Sequence, residues 1–142
     1  MSASRPHALT WSPGAWFGAQ LGGSAWMFVA AGILFFDTPW VGGVHLACFL
    51  AVNFVGLMLW RRRGRMGVYP AFQILLLTLL VGAVVAIGVT DFAGRLSRLW
   101  VTGRPDLDAW FAARRWAAYA PLLIIVALMG FFAWRHQSSR QP

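Results

Sequence analysis

Four long apolar runs, separated by short polar segments, organise the sequence: residues 14–36, 40–60, 69–90 and 116–134. Each is close to the roughly 20 residues that an α-helix needs to cross a hydrocarbon layer. In lipid, a helix is also the one open-ended element that satisfies its own peptide groups. The pattern predicts an all-α integral membrane protein with four transmembrane helices, forming a single domain over residues 1–142.

The joints between the runs carry their own signals. The first run could be read as a signal peptide cleaved after Val29-Ala30-Ala31. It is longer than the roughly 7–15 residues of a signal core and continues through Ile33, Leu34, Phe35 and Phe36, so a retained span is expected. Only Asp37, Thr38 and Pro39 separate it from the second run. Such a joint predicts a tight antiparallel hairpin, with Thr38 as cap and Pro39 in the first helical position. Arg61-Arg62-Arg63-Gly64-Arg65 then ends the second span, because that density of charge does not stay in hydrocarbon.

Residues 91–115 are mixed. Arginines alternate there with Phe92, Leu96, Leu99, Trp100, Leu107, Trp110 and Phe111, at spacings that predict one or two short amphipathic interfacial helices. Pro105, Asp106 and Asp108 look like a helix start. Pro121 either lies in the first turn of the fourth span or kinks a longer helix that begins near Asp106.

Tryptophan supports the same boundaries. Trp11, Trp16, Trp40, Trp60, Trp100, Trp110, Trp116 and Trp134 fall at or near the ends of the runs, where amphipathic rings prefer to sit, and Trp26 alone is mid-span. Composition agrees: 59% of residues are hydrophobic and 11% charged, too little polar surface for a water-soluble globule.

Charge sets the expected orientation. The net charge of +8 comes from twelve cationic side chains, all arginine, against four acids, all aspartate. In a soluble protein this would suggest nucleic acid. Beside long apolar runs it reads as anchoring to lipid phosphate, so no nucleic-acid partner is expected. Arg5, Arg61, Arg62, Arg63, Arg65, Arg135 and Arg140 share one side, with no acid. Arg95, Arg98, Arg104, Arg114 and Arg115 share the other with Asp37, Asp91, Asp106 and Asp108. Both termini are therefore expected in the cytoplasm. Arginine to the exclusion of lysine fits a GC-rich bacterial genome and hence the bacterial inner membrane.

Candidate chemistry is sparse. No Asp, Glu, Lys or Arg lies within the four runs, which disfavours an ion-coupled pump and leaves no paired carboxylates or nucleophile arrangement for catalysis. No enzyme activity, cofactor or metal is expected. His45, near the outer end of the second span, lacks a second intramembrane ligand and reads as an interfacial or hydrogen-bonded histidine. Cys48 has no partner for a disulfide within the chain.

The informative polar residues are Gln20, Asn53 and Gln73. They lie about 9, 10 and 6 Å in from the Arg61–Arg65 side at 1.5 Å per residue, so they share one layer and are expected to bond across helices. Small residues recur every four positions: Gly14, Gly18 and Gly22 in the first span, Gly43, Ala47 and Ala51 in the second, and Thr78, Gly82, Ala86 and Thr90 in the third. Such rows let helix backbones approach closely. On a helical wheel Gln20 lies about 200° from the centre of its glycine row, so the first span has two candidate contact faces. Either one of them docks another subunit, a second copy or a different membrane protein, or the first span sits centrally in its own bundle. Arg61, Arg62, Arg63 and Arg65 are candidate lipid-headgroup contacts. The sequence favours an accessory or structural membrane subunit that works through helix packing. The alternative is an oligomeric channel or uncoupled transporter for a small solute, lined by the three amides.

Overall fold

Each apolar run begins and ends where local chemistry stops or starts a helix. The computed structural model describes residues 10–100, 109–110 and 113–138. Helix α1 covers Pro13–Asp37. The Ser12 hydroxyl accepts from the Ala15 N–H at 3.5 Å, and Pro13 occupies the first turn, where its missing N–H leaves no bond unmade. The helix closes with the Thr38 N–H donating to the Leu34 carbonyl at 2.6 Å.

Helix α2, Pro39–Arg61, starts at once. Thr38 stands at the expected cap position, but its hydroxyl makes no cap bond and is buried without a partner. Its carbonyl accepts instead from the Val41 and Gly42 N–H groups, at 3.0 and 3.2 Å. One residue joins two helices here, so the turn dictates its backbone angles and the main chain does the capping. Gly42 is required at this joint. A Cβ there would fall 2.7 Å from the Phe35 backbone nitrogen and 2.9 Å from the Ala31 carbonyl oxygen.

Helix α3 spans Val68–Phe92. It ends at Gly94, whose φ of +67° suits a residue without a Cβ. The short helix α4, Leu96–Trp100, follows. A 3-10 turn, Arg115–Tyr119, leads directly into helix α5, Ala120–Ser138. Pro121 therefore sits in the first turn of its α-helix, the first of the two expected alternatives. Of the segment between the third and fourth spans, residues 101–108, 111 and 112 lie outside the described residues, and with them Arg104, Pro105, Asp106, Leu107, Asp108 and Phe111.

Four helices in the described chain are long and apolar enough to cross a membrane. Helices α1, α2 and α3 pack on one another around a core that includes Met27, Val52, Leu75, Leu79 and Ala83. Trp16 joins that core. It is only 4% exposed and its indole N–H donates to the Gly56 carbonyl at 3.1 Å. Its place in the sequence suggested a ring at the membrane edge; a donor within reach of a bare backbone carbonyl turns it inward. Helix α5 stands at the margin. Of the long helices it packs on α3 alone, and none of its residues is buried.

Candidate helix-interface site

Gln20 and Asn53 meet between α1 and α2. The Gln20 side-chain amide donates to Asn53 Oδ1 at 2.9 Å and to the Asn53 carbonyl at 3.0 Å. Asn53 in turn donates to Ser24 Oγ at 3.1 Å and to the Phe49 carbonyl at 2.8 Å. Ser24 donates to the Gln20 carbonyl one turn earlier, at 2.8 Å. The three side chains form one local network, and Gln20 and Ser24 are buried. A polar network in an apolar setting fixes register, because a slip by one residue would strand its donors. Gln20 Oε1 has no hydrogen-bond donor and rests against Gly56, where an added Cβ would lie 2.3 Å away.

Gln73 does not join this network. It donates to the Met129 carbonyl of α5 at 3.1 Å. The three amides therefore do not form a single bonded layer, because Gln73 faces a different neighbour. Phe132 reinforces the same contact, edge-on to Phe72 at 4.9 Å and to Tyr69 at 6.4 Å between ring centroids.

The rows of small residues divide. In α3, Ala86 is buried, and a Cβ at Gly82 would sit in ordinary contact with Met27 and Val52, both at 3.5 Å. In α1, Gly14, Gly18 and Gly22 are exposed, and a Cβ at any of them would meet nothing within 4 Å. In α2, Gly43 likewise meets nothing, and Ala47 and Ala51 are exposed. The glycines that admit a neighbouring helix most closely are instead Gly23, against the Leu79 side chain, together with Gly42 and Gly56. Sequence reasoning passed over all three, and over Ser24, although Ser24 follows Gln20 by one helical turn.

His45 is fully buried between α1, α2 and α3. Its Nδ1 lies 3.0 Å from the Val41 carbonyl, so that nitrogen carries the proton, and Nε2 lies 3.4 Å from Thr90 Oγ1. The Trp26 ring meets it edge-on at 6.2 Å. Thr90 donates to the Ala86 carbonyl at 2.8 Å. Among the described residues no group of three His, Cys, Asp or Glu side chains could hold a metal ion.

The two ends of the helices differ in charge. At the Asp37 end, Arg95 and Arg98 pair with Asp37 at 3.5 and 3.8 Å. Asp91 takes the Arg115 guanidinium on Oδ1 and the Tyr119 hydroxyl on Oδ2, the latter at 3.0 Å. This clamp ties the start of α5 to the end of α3. At the opposite end Arg61, Arg62 and Arg65 are exposed, and the Arg63 guanidinium lies over the Trp60 ring at 4.6 Å. No described acid lies at that end.

The backbones of α1 and α5 stand apart, and hollows lie between the two helices over α3. Near the arginine end is one of about 70 Å³ beside Ala15, Val68 and Phe132. Further along lies one of about 220 Å³ beside Ala19, Leu75 and Leu128. Toward the Asp37 end is one of about 350 Å³ beside Trp26, Ile87 and Pro121. Carbon lines nearly all of their walls. The chain matches no known family model, no curated protein and no solved structure.

Proposed function

We propose that the chain is a small accessory or structural subunit of the bacterial inner membrane, which works by packing the glycine face of α1 against a transmembrane helix of a partner or a second copy. The observation that carries this reading is the placement of Gly14, Gly18 and Gly22. They form a smooth face on α1 that no described helix of the chain covers. The opposite face of α1 already holds Trp16, Gln20, Met27 and Leu34 against α2 and α3. Without a hydrophobic drive between helices in lipid, close backbone approach is what makes association favourable, and glycine permits it.

In this reading both termini and the Arg61–Arg65 loop face the cytoplasm, in keeping with the charge difference between the two ends. The described parts of residues 91–115 lie along the opposite membrane surface. A route for a small solute draws less support, since Gln20 and Asn53 bond to each other, Gln73 bonds to Met129, and the hollows are apolar.

The test is Gly18→Leu, purified from native membrane in a mild detergent. Loss of the co-purifying partner, or a smaller oligomer, with helix content unchanged is the expected result. An unchanged complex around a folded Gly18→Leu protein rules the reading out.

A further inference from the structure

We infer that the hollow of about 350 Å³ near the Asp37 end binds a lipid-soluble quinone, with one ring carbonyl accepting from the indole N–H of Trp26. The site starts from a donor that has nothing to donate to. Trp16 shows how this fold serves a buried indole, since its N–H reaches the Gly56 carbonyl at 3.1 Å. Trp26 has no such acceptor among the described residues; its ring meets His45 edge-on at 6.2 Å, and its N–H makes no hydrogen bond there. At 1.5 Å per residue Trp26 lies about 16 Å below Asp37 along α1. That is the middle of a hydrocarbon core roughly 30 Å thick, out of reach of water, where an unpaired donor costs free energy.

The hollow sets what can bring an acceptor to that depth. Val29 and Ile33 of α1, Ile87 of α3, Leu99 of α4 and Pro121 of α5 line it with Trp26. Of the described lining side chains, Trp26 alone carries a polar atom, so the acceptor must come on a molecule whose body is apolar. A phospholipid does not qualify, because its ester carbonyls stay with a charged headgroup that is costly to bring to mid-membrane.

A transmembrane helix of a partner fits no better, because α4 bridges α1 and α3 at the Asp37 end. Arg98 of α4, and Arg95 just before it, pair with Asp37, while Leu99 packs against the clusters that hold Leu34 and Ile87. A helix that followed the hollow would meet α4 before leaving the membrane; a molecule that ends within the bilayer need not pass it. A quinone has the required parts, an uncharged flat head with carbonyl acceptors and a tail that mixes with lipid chains. The aromatic ring beside the donor favours that flat head over a saturated ester. The hollow lies past Gly22 in the Asp37 half of α1, so it stands apart from the glycine row and from whatever covers that row.

The experiment adds decylubiquinone to the full chain in detergent. Two other probes run beside it: decylbenzene, a ring and tail without carbonyls, and methyl palmitate, an ester carbonyl without a ring. Retention is read by native mass spectrometry, and the quinone carbonyl stretch by infrared difference spectroscopy. Decylubiquinone should be retained with one carbonyl band moved to lower wavenumber, and the other two should be lost. Trp26→Phe keeps an aromatic ring and removes the donor. It should weaken retention about fivefold, the worth of one net hydrogen bond, and return the band to its free position. Val29→Phe should fill the hollow and release the quinone, whereas Val81→Phe, exposed on α3 and outside the lining, should not. If Trp26→Phe fails to fold, the band in the parent protein decides. Equal retention of decylbenzene or methyl palmitate, an unmoved carbonyl band, undiminished retention by a folded Trp26→Phe or Val29→Phe protein, or a co-purifying peptide helix that keeps the quinone out would each overturn the proposal.

Discussion

The Gln20 side chain lies across the bare backbone of Gly56, close enough that a Cβ would stand 2.3 Å from Oε1 and 2.4 Å from Cδ. A residue with a side chain at position 56 must push the amide off the Asn53 network or push α1 away from α2. Gly56→Leu should therefore destabilise the protein by about 1–3 kcal/mol, the range for overpacking a filled core. Gly18→Leu, on the open face, should change stability by no more than about 0.5 kcal/mol. Unfolding followed by tryptophan fluorescence in mixed micelles measures both, and equal effects would show that the two glycines occupy similar surroundings.

Removing Asn53 strands donors rather than volume. Asn53→Leu leaves the Gln20 amide without its Oδ1 acceptor and the Ser24 hydroxyl without a donor, at a cost of about 1–3 kcal/mol. Adding Gln20→Leu should cost less than the separate losses suggest, because the second change removes the group that the first one orphaned. A double-mutant cycle reads this directly. Strict additivity would mean that the two amides do not depend on each other.

Helix α5 should loosen without disturbing the rest. Asp91→Ala removes the acceptor for both Arg115 and Tyr119, and Gln73→Leu removes the bond to Met129. Together they should speed amide hydrogen exchange across residues 115–130 while α1, α2 and α3 keep the parent rates. Uniform acceleration in every helix would place α5 inside the common core instead.

Orientation has a direct chemical readout. In a Cys48→Ala background, a cysteine at Gly64 should react with a membrane-impermeant maleimide only after cells are opened. One at Arg98 should react in intact cells. The reverse pattern would invert the proposed topology.

How far the sequence could be read differs sharply between span and face. The expected run 14–36 lies within Pro13–Asp37, 40–60 within Pro39–Arg61 and 69–90 within Val68–Phe92. Those limits depend on neighbours in the chain: a proline, a capping serine, a block of arginines. Which face of a helix meets another is not written locally, because lipid-facing and core-facing positions are both apolar in a bilayer. Phe28 and Val29 are exposed while Met27 is fully buried, and nothing in their hydropathy separates them. Gly42 and Gly43 make the point most plainly. They are adjacent and identical, and about 100° of helical rotation puts one against the Phe35 backbone and the other in the open. Polar residues were more legible, since Gln20 and Asn53 had to find partners. Gln73 found its own on α5, at a backbone carbonyl that hydropathy does not mark.

The marginal seat of α5 bears on how the chain is made. Ribosomes deliver helices to the membrane in sequence order, so α1, α2 and α3 are released with all the neighbours they need and can settle as a unit. Helix α5 follows that unit in the chain and has one surface of it to recognise, marked by Gln73 near one end and Asp91 at the other. Assembly of these four helices thus has a natural order, in which two polar contacts latch α5 onto a three-helix unit already formed.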